Sequence, residues 1–399
     1  MSPGSAGSAD SAGSSSAPFP TKRVTVVSHV RTTGLLHALE RYVVPRAESV
    51  LVIEHQLVHM VPAYSRYRFY EDGVLRKSGE RAVRLPEVML FASDAVLTVV
   101  WTHRMQRDPD LFIGVGALNA FVGLLLRALG LARRCAFWVI DYSPRRFDGR
   151  VLDAVFHLVD SVAALRCDET WNLAPRMEEA HLSKRYAPLV RRRTNVQTIV
   201  PIGVDPINLP AANRHPRRLV FIGHVLEKQG LQLAIEAMSS LVERFPDIEL
   251  VVIGDGPYLD EIRRLVDDLG IDAAVTFTGF VESQHDVEAY LVTASIGLAT
   301  YLPTPDTFTF YADPGKIKLY LAAGLPVCVT SVPAIARDLE QRRCAVVVEP
   351  TAGSVAEHVA DLLSDQHDLE QRRIECLAYA EEITWERVFD RAFGVAVNS

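Results

Sequence analysis

A glycine that ends an apolar run, followed five residues later by a lysine, is the first place where this sequence could do chemistry. The segment is Phe221-Ile222-Gly223-His224-Val225-Leu226-Glu227-Lys228-Gln229-Gly230. Gly223 lets the backbone approach a ligand. Lys228 at the start of a helix can meet a phosphate as a point charge, helped by the positive end of the helix. Taken alone, such a lysine reads equally well as solvent-exposed. Val251-Val252-Ile253-Gly254-Asp255-Gly256-Pro257 is a strand that leaves through a tight turn, and it also reads as structural punctuation. Phe277-Thr278-Gly279-Phe280-Val281 could place backbone at Val281 against a nucleobase edge.

The fourth segment carries most. It runs Ala312-Asp313-Pro314-Gly315-Lys316-Ile317-Lys318-Leu319-Tyr320-Leu321-Ala322-Ala323-Gly324-Leu325-Pro326-Val327. Pro314 suits a first helical turn, where its missing N–H costs nothing. Gly315 and the neighbouring free N–H groups can face a diphosphate. Gly324 ends the helix, and Pro326 stops its continuation.

Other polar residues are weaker signals. His103 and Asp141 each follow an apolar run, where a cleft position and a plain loop or cap role both fit. Asp108-Pro109-Asp110 is the lone Asp-x-Asp, and it precedes an expected strand at the end away from a cleft. The five cysteines are odd in number, widely spaced and without a C-x-x-C pair, which argues against a disulfide framework or zinc site. Cys135 and Cys328 sit in apolar runs and read as small core residues. No metal-ligand cluster is visible.

These segments need a scaffold that brings strand ends together. Strands are expected at Val24–Val27, Val50–Glu54, Leu111–Val115, Cys135–Ile140, Glu169–Asn172 and Gln197–Val200. The second half places them at Arg218–Ile222, Glu249–Ile253, Val275–Thr278, Ile296–Ala299, Val327–Thr330 and Ala345–Val348. Helical stretches fall between them, for instance Leu35–Val44 and Val151–Leu165. Asp94–Val100 fits the end of a helix or a strand. Tyr64–Lys77, with Asp72-Gly73 at its centre, reads as a hairpin that interrupts the pattern. Its rings are either half-buried on the surface or a wall of an acceptor site. Regular alternation of β-rich runs with helices predicts α/β architecture, with two doubly wound parallel sheets facing each other across a cleft.

At roughly 100–200 residues per domain, 399 residues suggest two domains. Residues 1–21 form a Ser/Gly/Ala-rich tail with no basic or apolar region of a signal peptide, and are expected to be disordered. Residues 22–205 form the first Rossmann-like domain, 206–217 a linker and 218–375 the second. From Asp361 the chain reads as helical, and residues 376–399 as a helix packing back toward the first domain. The net charge of −7 and a charged fraction of 23% exclude a general nucleic-acid binder. Lys184-Arg185 and Arg191-Arg192-Arg193 read as a solvated helix end or loop, or as a patch for anionic lipid or a phosphorylated acceptor. The apolar run Leu111–Leu126 falls short of the roughly 20 residues a span needs.

The four motifs, in this order and spacing, resemble the retaining glycosyltransferases of the GT-B fold, and more narrowly the group 1 nucleotide-sugar-dependent family. The resemblance covers residues 197–350, with Pro201–Asp205 similar to the family's interdomain segment. It implies a nucleotide diphosphate sugar donor, a hydroxyl-bearing acceptor, retention at the anomeric carbon and no metal or other cofactor. Lys228 would bind the diphosphate, with Gly223, His224, Gly254, Gly256, Val281 and the Ala312–Lys316 loop (Ala312, Asp313, Pro314, Gly315, Lys316) and Tyr320 on the donor side. Thr33 and Gly34 would take the place of the family's first glycine-rich loop, and Asp141 that of its His-Asp pair, on the acceptor side. Lys228, Asp313 and His103 are the candidate catalytic residues.

The sequence departs from the family at its two glutamates, whose positions hold Tyr311 and Leu319. His224 stands where an arginine is usual. Asp313 would replace the first glutamate on the donor sugar. The pattern is that of a divergent subgroup in glycan, glycolipid or glycosylated-metabolite synthesis, cytoplasmic and open to contact with the inner membrane face. The competing readings are a non-catalytic nucleotide- or partner-binding module, a sugar-nucleotide epimerase, or a dinucleotide oxidoreductase, which would need a G-x-G-x-x-G that is missing.

Overall fold

The computed structural model describes residues 19–29, 33–56, 64–82, 85–183, 196–209, 214–304 and 308–394. The Ser/Gly/Ala tract to residue 18 and both basic clusters lie outside them.

The first half alternates strand and helix: β1 (Arg23–His29), α1 (Thr33–Val43), β2 (Ser49–His55), β3 (Tyr64–Glu71), β4 (Val74–Ala82), α2 (Glu87–Met105), β5 (Leu111–Val115), α3 (Ala117–Ala128), β6 (Arg134–Val139), α4 (Arg150–Arg166), β7 (Glu169–Asn172), α5 (Pro175–Ser183) and β8 (Val196–Ile199). The sheet order is β4-β3-β2-β1-β5-β6-β7-β8. The central strands are near-continuous apolar runs because helices cover both faces. Val24, Val26, Val27, Phe112, Ile113, Cys135 and Ala136 are fully buried.

Two expectations are resolved here. Asp94–Val100 lies inside α2 and is helical. The hairpin does not leave the α/β pattern but extends the sheet, with β3 antiparallel to β2 in the register Leu51↔Phe69. Tyr67 packs on Trp101 of α2 at 5.1 Å between ring centroids, so that ring serves the core. The outer strand β4 is exposed and carries Arg76, Lys77, Glu80 and Arg81, charges that blunt an open sheet edge. Phe19, the first described residue, packs its ring against Tyr42 and Phe393.

The second half is β9 (Arg218–Ile222), α6 (Leu231–Arg244), β10 (Glu249–Ile253), α7 (Leu259–Leu269), β11 (Val275–Gly279), α8 (Gln284–Thr293), β12 (Ile296–Ala299), α9 (Phe308–Tyr311), α10 (Gly315–Ala322), β13 (Val327–Thr330), α11 (Ala336–Gln341), β14 (Ala345–Val348), α12 (Ala352–Ser364), α13 (Gln366–Glu382) and α14 (Trp385–Phe393). Its six strands are all parallel in the order β11-β10-β9-β12-β13-β14. The order reverses between β9 and β12, the point where such sheets open a crevice at their carboxyl ends.

The helical C-terminal region starts at Ala352, earlier than expected, because the Thr351 hydroxyl caps α12 by accepting the Ser354 N–H at 3.3 Å. The single helix expected from residue 376 is two helices. Cys376 lies within α13, which packs on α10 and α12. The chain then breaks at Ile383–Thr384, and α14 buries Val388 and Phe389 in the core of the first half. The crossing segment pairs with the earlier one: Val204 N–H donates to Ile383 O at 3.1 Å, and Trp385 N–H to Val204 O at 3.2 Å. All five cysteines are buried free thiols. Among the described residues no helix is long and apolar enough to cross a membrane.

Candidate active site

The carboxyl ends of β9, β10, β11 and β12 are tied by backbone hydrogen bonds that shape one mouth. Gly223 N–H donates to Ile253 O, Gly254 N–H to Gly279 O and Val225 N–H to Asp255 O, each at 2.9 Å. Such close approach needs glycine. A Cβ on Gly254, at φ +140°, would stand 2.0 Å from Gly223 O, and one on Gly256 would stand 2.3 Å from Val225 O. Lys228 lies half-buried in a single 3-10 turn before α6, and its carbonyl accepts the Leu302 N–H at 3.1 Å. His224 is exposed beside Gly256, and Val281 is half-buried just past β11.

The start of α10 arrives at the same place. Lys316 Nζ donates to Gln229 Oε1 at 2.8 Å and lies over the rings of Phe221 at 4.0 Å and Tyr301 at 4.9 Å. It would stand 3.5 Å from a Cβ on Gly223. The 223–229 turn and the 315–316 helix start therefore share one mouth. Burial pulls the Lys316 pKa down to about 7. Tyr320 fixes the helix from below: its hydroxyl accepts the Ile222 N–H at 2.9 Å and donates to Leu298 O at 3.1 Å. Pro314 caps the helix without a side-chain bond, which leaves the first-turn amides of Gly315 and Lys316 turned outward.

Asp313 corrects an expectation. Its carboxylate is buried, with Oδ2 accepting the Ile202 N–H at 2.7 Å and Oδ1 paired with the Lys318 ammonium at 3.3 Å. It joins the two halves instead of facing the donor sugar. Tyr311, at the first glutamate position, packs on Tyr142 of the first half at 4.6 Å between centroids. Arg176 of α5 reaches across to donate to Phe310 O at 3.0 Å and to Val332 O.

His103 also corrects an expectation. It lies near the C-terminus of α2, which feeds the amino end of β5, on the side of the sheet away from the mouth. There it lines a cavity of about 250 Å³ with Thr102, Arg107 and Leu126. Asp108 and Asp110 occupy the same end, paired with Arg23 and Arg133. A further cavity, of about 210 Å³, opens at the amino ends of the second sheet, by Arg214, Pro326 and Arg373. Gly34 is exposed at the start of α1, and of Thr33 only the backbone is described. Asp141 follows β6 and pairs with Arg146.

The cleft end of the first sheet holds a cluster that the sequence reading missed. His29 ends β1 and His55 ends β2, and Asp94 of α2 stands between them. His55 Nδ1 is 3.3 Å from Asp94 Oδ1, and His29 Nε2 is 3.5 Å from Oδ2. Ser65 donates to Asp94 Oδ1 at 2.9 Å, Thr98 meets His55 Nε2 at 2.8 Å and Asn119 Nδ2 meets His29 Nδ1 at 3.1 Å. Burial alone would raise the Asp94 pKa, but bonds from His29, His55 and Ser65 hold it far below the usual range. Burial lowers the His55 pKa. The available signal was the polar residue closing each of two apolar strands, and the partner on a helix, 65 residues from His29 and 39 from His55, was not visible. Among the described residues no group of three or more His, Cys, Asp or Glu side chains is placed to hold a metal ion.

With this geometry in place, similarity to known proteins is informative. Residues 216–365 match the family described as "Glycosyl transferases group 1". The second half of the chain therefore carries a group 1 glycosyltransferase domain. The chain is 25% identical to a GDP-mannose-dependent alpha-(1-6)-phosphatidylinositol monomannoside mannosyltransferase of Mycolicibacterium smegmatis, over 64% of the chain and 66% of that relative, just under two thirds of its length. It is 28% identical to the Mycobacterium tuberculosis protein of the same description, over 78% of the chain and 81% of the relative. The crystal structure of Anabaena HepE in complex with UDP aligns at a TM-score of 0.65 and 15% identity, covering 93% of this chain and 98% of that one. That likeness establishes two facing Rossmann-like domains, the GT-B fold, for this chain.

Proposed function

We propose that the protein is a glycosyltransferase that takes a hexose from a nucleoside diphosphate sugar held at the carboxyl ends of β9 to β12. It delivers the hexose, with retention, to a hydroxyl presented by the first domain. The observation that carries the reading is the convergence of Gly223, Lys228 and Lys316 with the open first turn of α10. As the glycosidic bond breaks, negative charge builds on the departing diphosphate. Two ammonium groups and a fixed set of amides meet it without reorganising, which is where electrostatic catalysis acts. Gly254, Gly256 and Val281 would flank the nucleoside, with Ala312 and Pro314 beside the phosphates. No carboxylate holds the ribose from the Leu319 position, so the base and the diphosphate carry more of donor recognition in this divergent subgroup.

GDP-mannose is the favoured donor and a polyol glycolipid headgroup the favoured acceptor, since the mannosyltransferase relatives are described by both. On the acceptor side, Gly34, Asp141 and the His29–Asn119 pair sit at the carboxyl ends of the first sheet. Such an acceptor would bring the enzyme to a membrane surface. The test is mannose transfer from GDP-mannose to phosphatidylinositol mannosides in vesicles, beside UDP-glucose. Turnover with either donor supports the reading. A second reading, a nucleotide-binding module without turnover, is favoured by Tyr311 and Leu319 in place of the glutamates. Tight nucleotide binding with no sugar release across donors and acceptors would establish it.

A further inference from the structure

We propose that Lys316 is a proton-coupled latch for the donor diphosphate, resting on Gln229 between two rings and taking up a proton from solvent as the diphosphate arrives. The inference rests on the donor reading above and adds how that site is regulated.

The geometry explains why the charge waits for a ligand. Lys316 Nζ has Gln229 Oε1 as its hydrogen-bond acceptor, and a neutral amine can donate that bond as well as an ammonium can. Its ammonium lies against the rings of Phe221 and Tyr301, on a side chain that is half-buried, so it has fewer water partners than an exposed lysine. Ring faces favour a cation, but by less than the lost hydration when no anion is near. Among the described residues no carboxylate lies within ion-pair distance of Lys316. Asp313, three residues earlier, is committed to Lys318 and to Ile202.

Each neighbouring element contributes titratable groups. His224, Glu227 and Lys228 lie on the turn after β9. Asp255 follows β10 and is bonded to the Gly256 N–H at 2.7 Å. Tyr301 follows β12, and burial keeps its phenol protonated. Burial holds Lys316 near 7, so without an anion beside it the amine is largely neutral above that pH. A diphosphate at the adjacent Gly223 and Gly315 amides supplies the missing counter-charge and raises the pKa. The balance is simple: amine, proton and diphosphate combine into an ion pair, and no covalent bond changes. Above pH 7 each binding event must then draw one proton, and affinity must fall as pH rises.

The experiment is calorimetry of UDP and GDP binding between pH 7.5 and 9, in buffer pairs of differing ionisation enthalpy. Terminal phosphates titrate near pH ~6 and are ionised throughout this range. Uptake approaching one proton, and affinity roughly eightfold weaker at pH 8.5 than at 7.5, are expected from a group titrating near 7. Lys316→Arg, which cannot lose its charge, and Lys316→Met, which has none, should both flatten the profile. His224→Asn should keep it. Nucleotide binding by the wild type with a flat profile and no proton uptake would overturn the latch while leaving the donor reading intact. A flat profile in His224→Asn alone would move the proton to His224 and also overturn it. Absence of binding by either nucleotide at any pH would remove the donor reading itself.

Discussion

The Lys318 ammonium sits 3.3 Å from Asp313 Oδ1, and both side chains are almost completely withdrawn from solvent. Because Asp313 Oδ2 also holds the Ile202 amide, this pair ties the donor helix to the segment that enters from the first domain. Removing one member leaves an uncompensated buried charge, which costs about 3–5 kcal/mol. Asp313→Asn and Lys318→Met should each lower the denaturation midpoint markedly. The double variant Asp313→Asn/Lys318→Met should lose less than the sum of the two single effects. Additive losses in a double-mutant cycle would show that the two groups do not act as a pair.

Lys228 tests the chemistry. Its carbonyl serves the fold through Leu302, whereas its ammonium is the part assigned to the diphosphate. Lys228→Ala should therefore leave thermal stability near that of the wild type and cut kcat about 100-fold, or about 3 kcal/mol of barrier. Steady-state kinetics beside a melting curve decide it, and unchanged turnover would remove Lys228 from the donor site.

Gly254 is a steric test of the mouth. Gly254→Ala places a methyl 2.0 Å from Gly223 O at a φ of +140°. The β9 and β10 loops must then separate, so nucleotide binding should be lost and stability reduced by about 2 kcal/mol or more. Gly34→Ala, with open space around the added Cβ, should leave stability unchanged. Chemical denaturation of the two variants gives the comparison.

The His29–His55–Asp94 cluster predicts acid sensitivity. Both His55 and Asp94 have folded pKa values below their unfolded ones. Their contributions are therefore complete above the unfolded values and are lost as pH falls, first below about 6.5 for His55 and then below about 4 for Asp94. Unfolding free energy followed from pH 7.5 to 3.5 should decline through this window. His55→Gln should flatten its upper part, and an unchanged slope in that variant would acquit the histidine.

The sequence disclosed the α/β rhythm because a buried parallel strand is a short apolar run, as Leu219–Phe221 and Leu250–Ile253 show. It also disclosed the mouth, since Gly223, Gly254 and Gly256 mark backbone crowding that other residues cannot meet. It misled at His103 and Asp313. An apolar run does not say which end of a sheet its last residue reaches, and α2 proved to be a helix running back to the amino ends. Asp313 was read as facing the donor sugar because nothing in the sequence marks Lys318, five residues on, as its buried partner. The cluster around Asp94 was hidden for a related reason: its members come from β1, β2, β3 and α2, and only their packing brings them together.

The last helix has a bearing on how this protein is made. Val388 and Phe389 complete a core whose other members begin at Val24. During synthesis, the first domain keeps an apolar face uncovered until residues 385–393 have left the ribosome. The second domain can close its own sheet sooner, so the half made first is expected to be finished last.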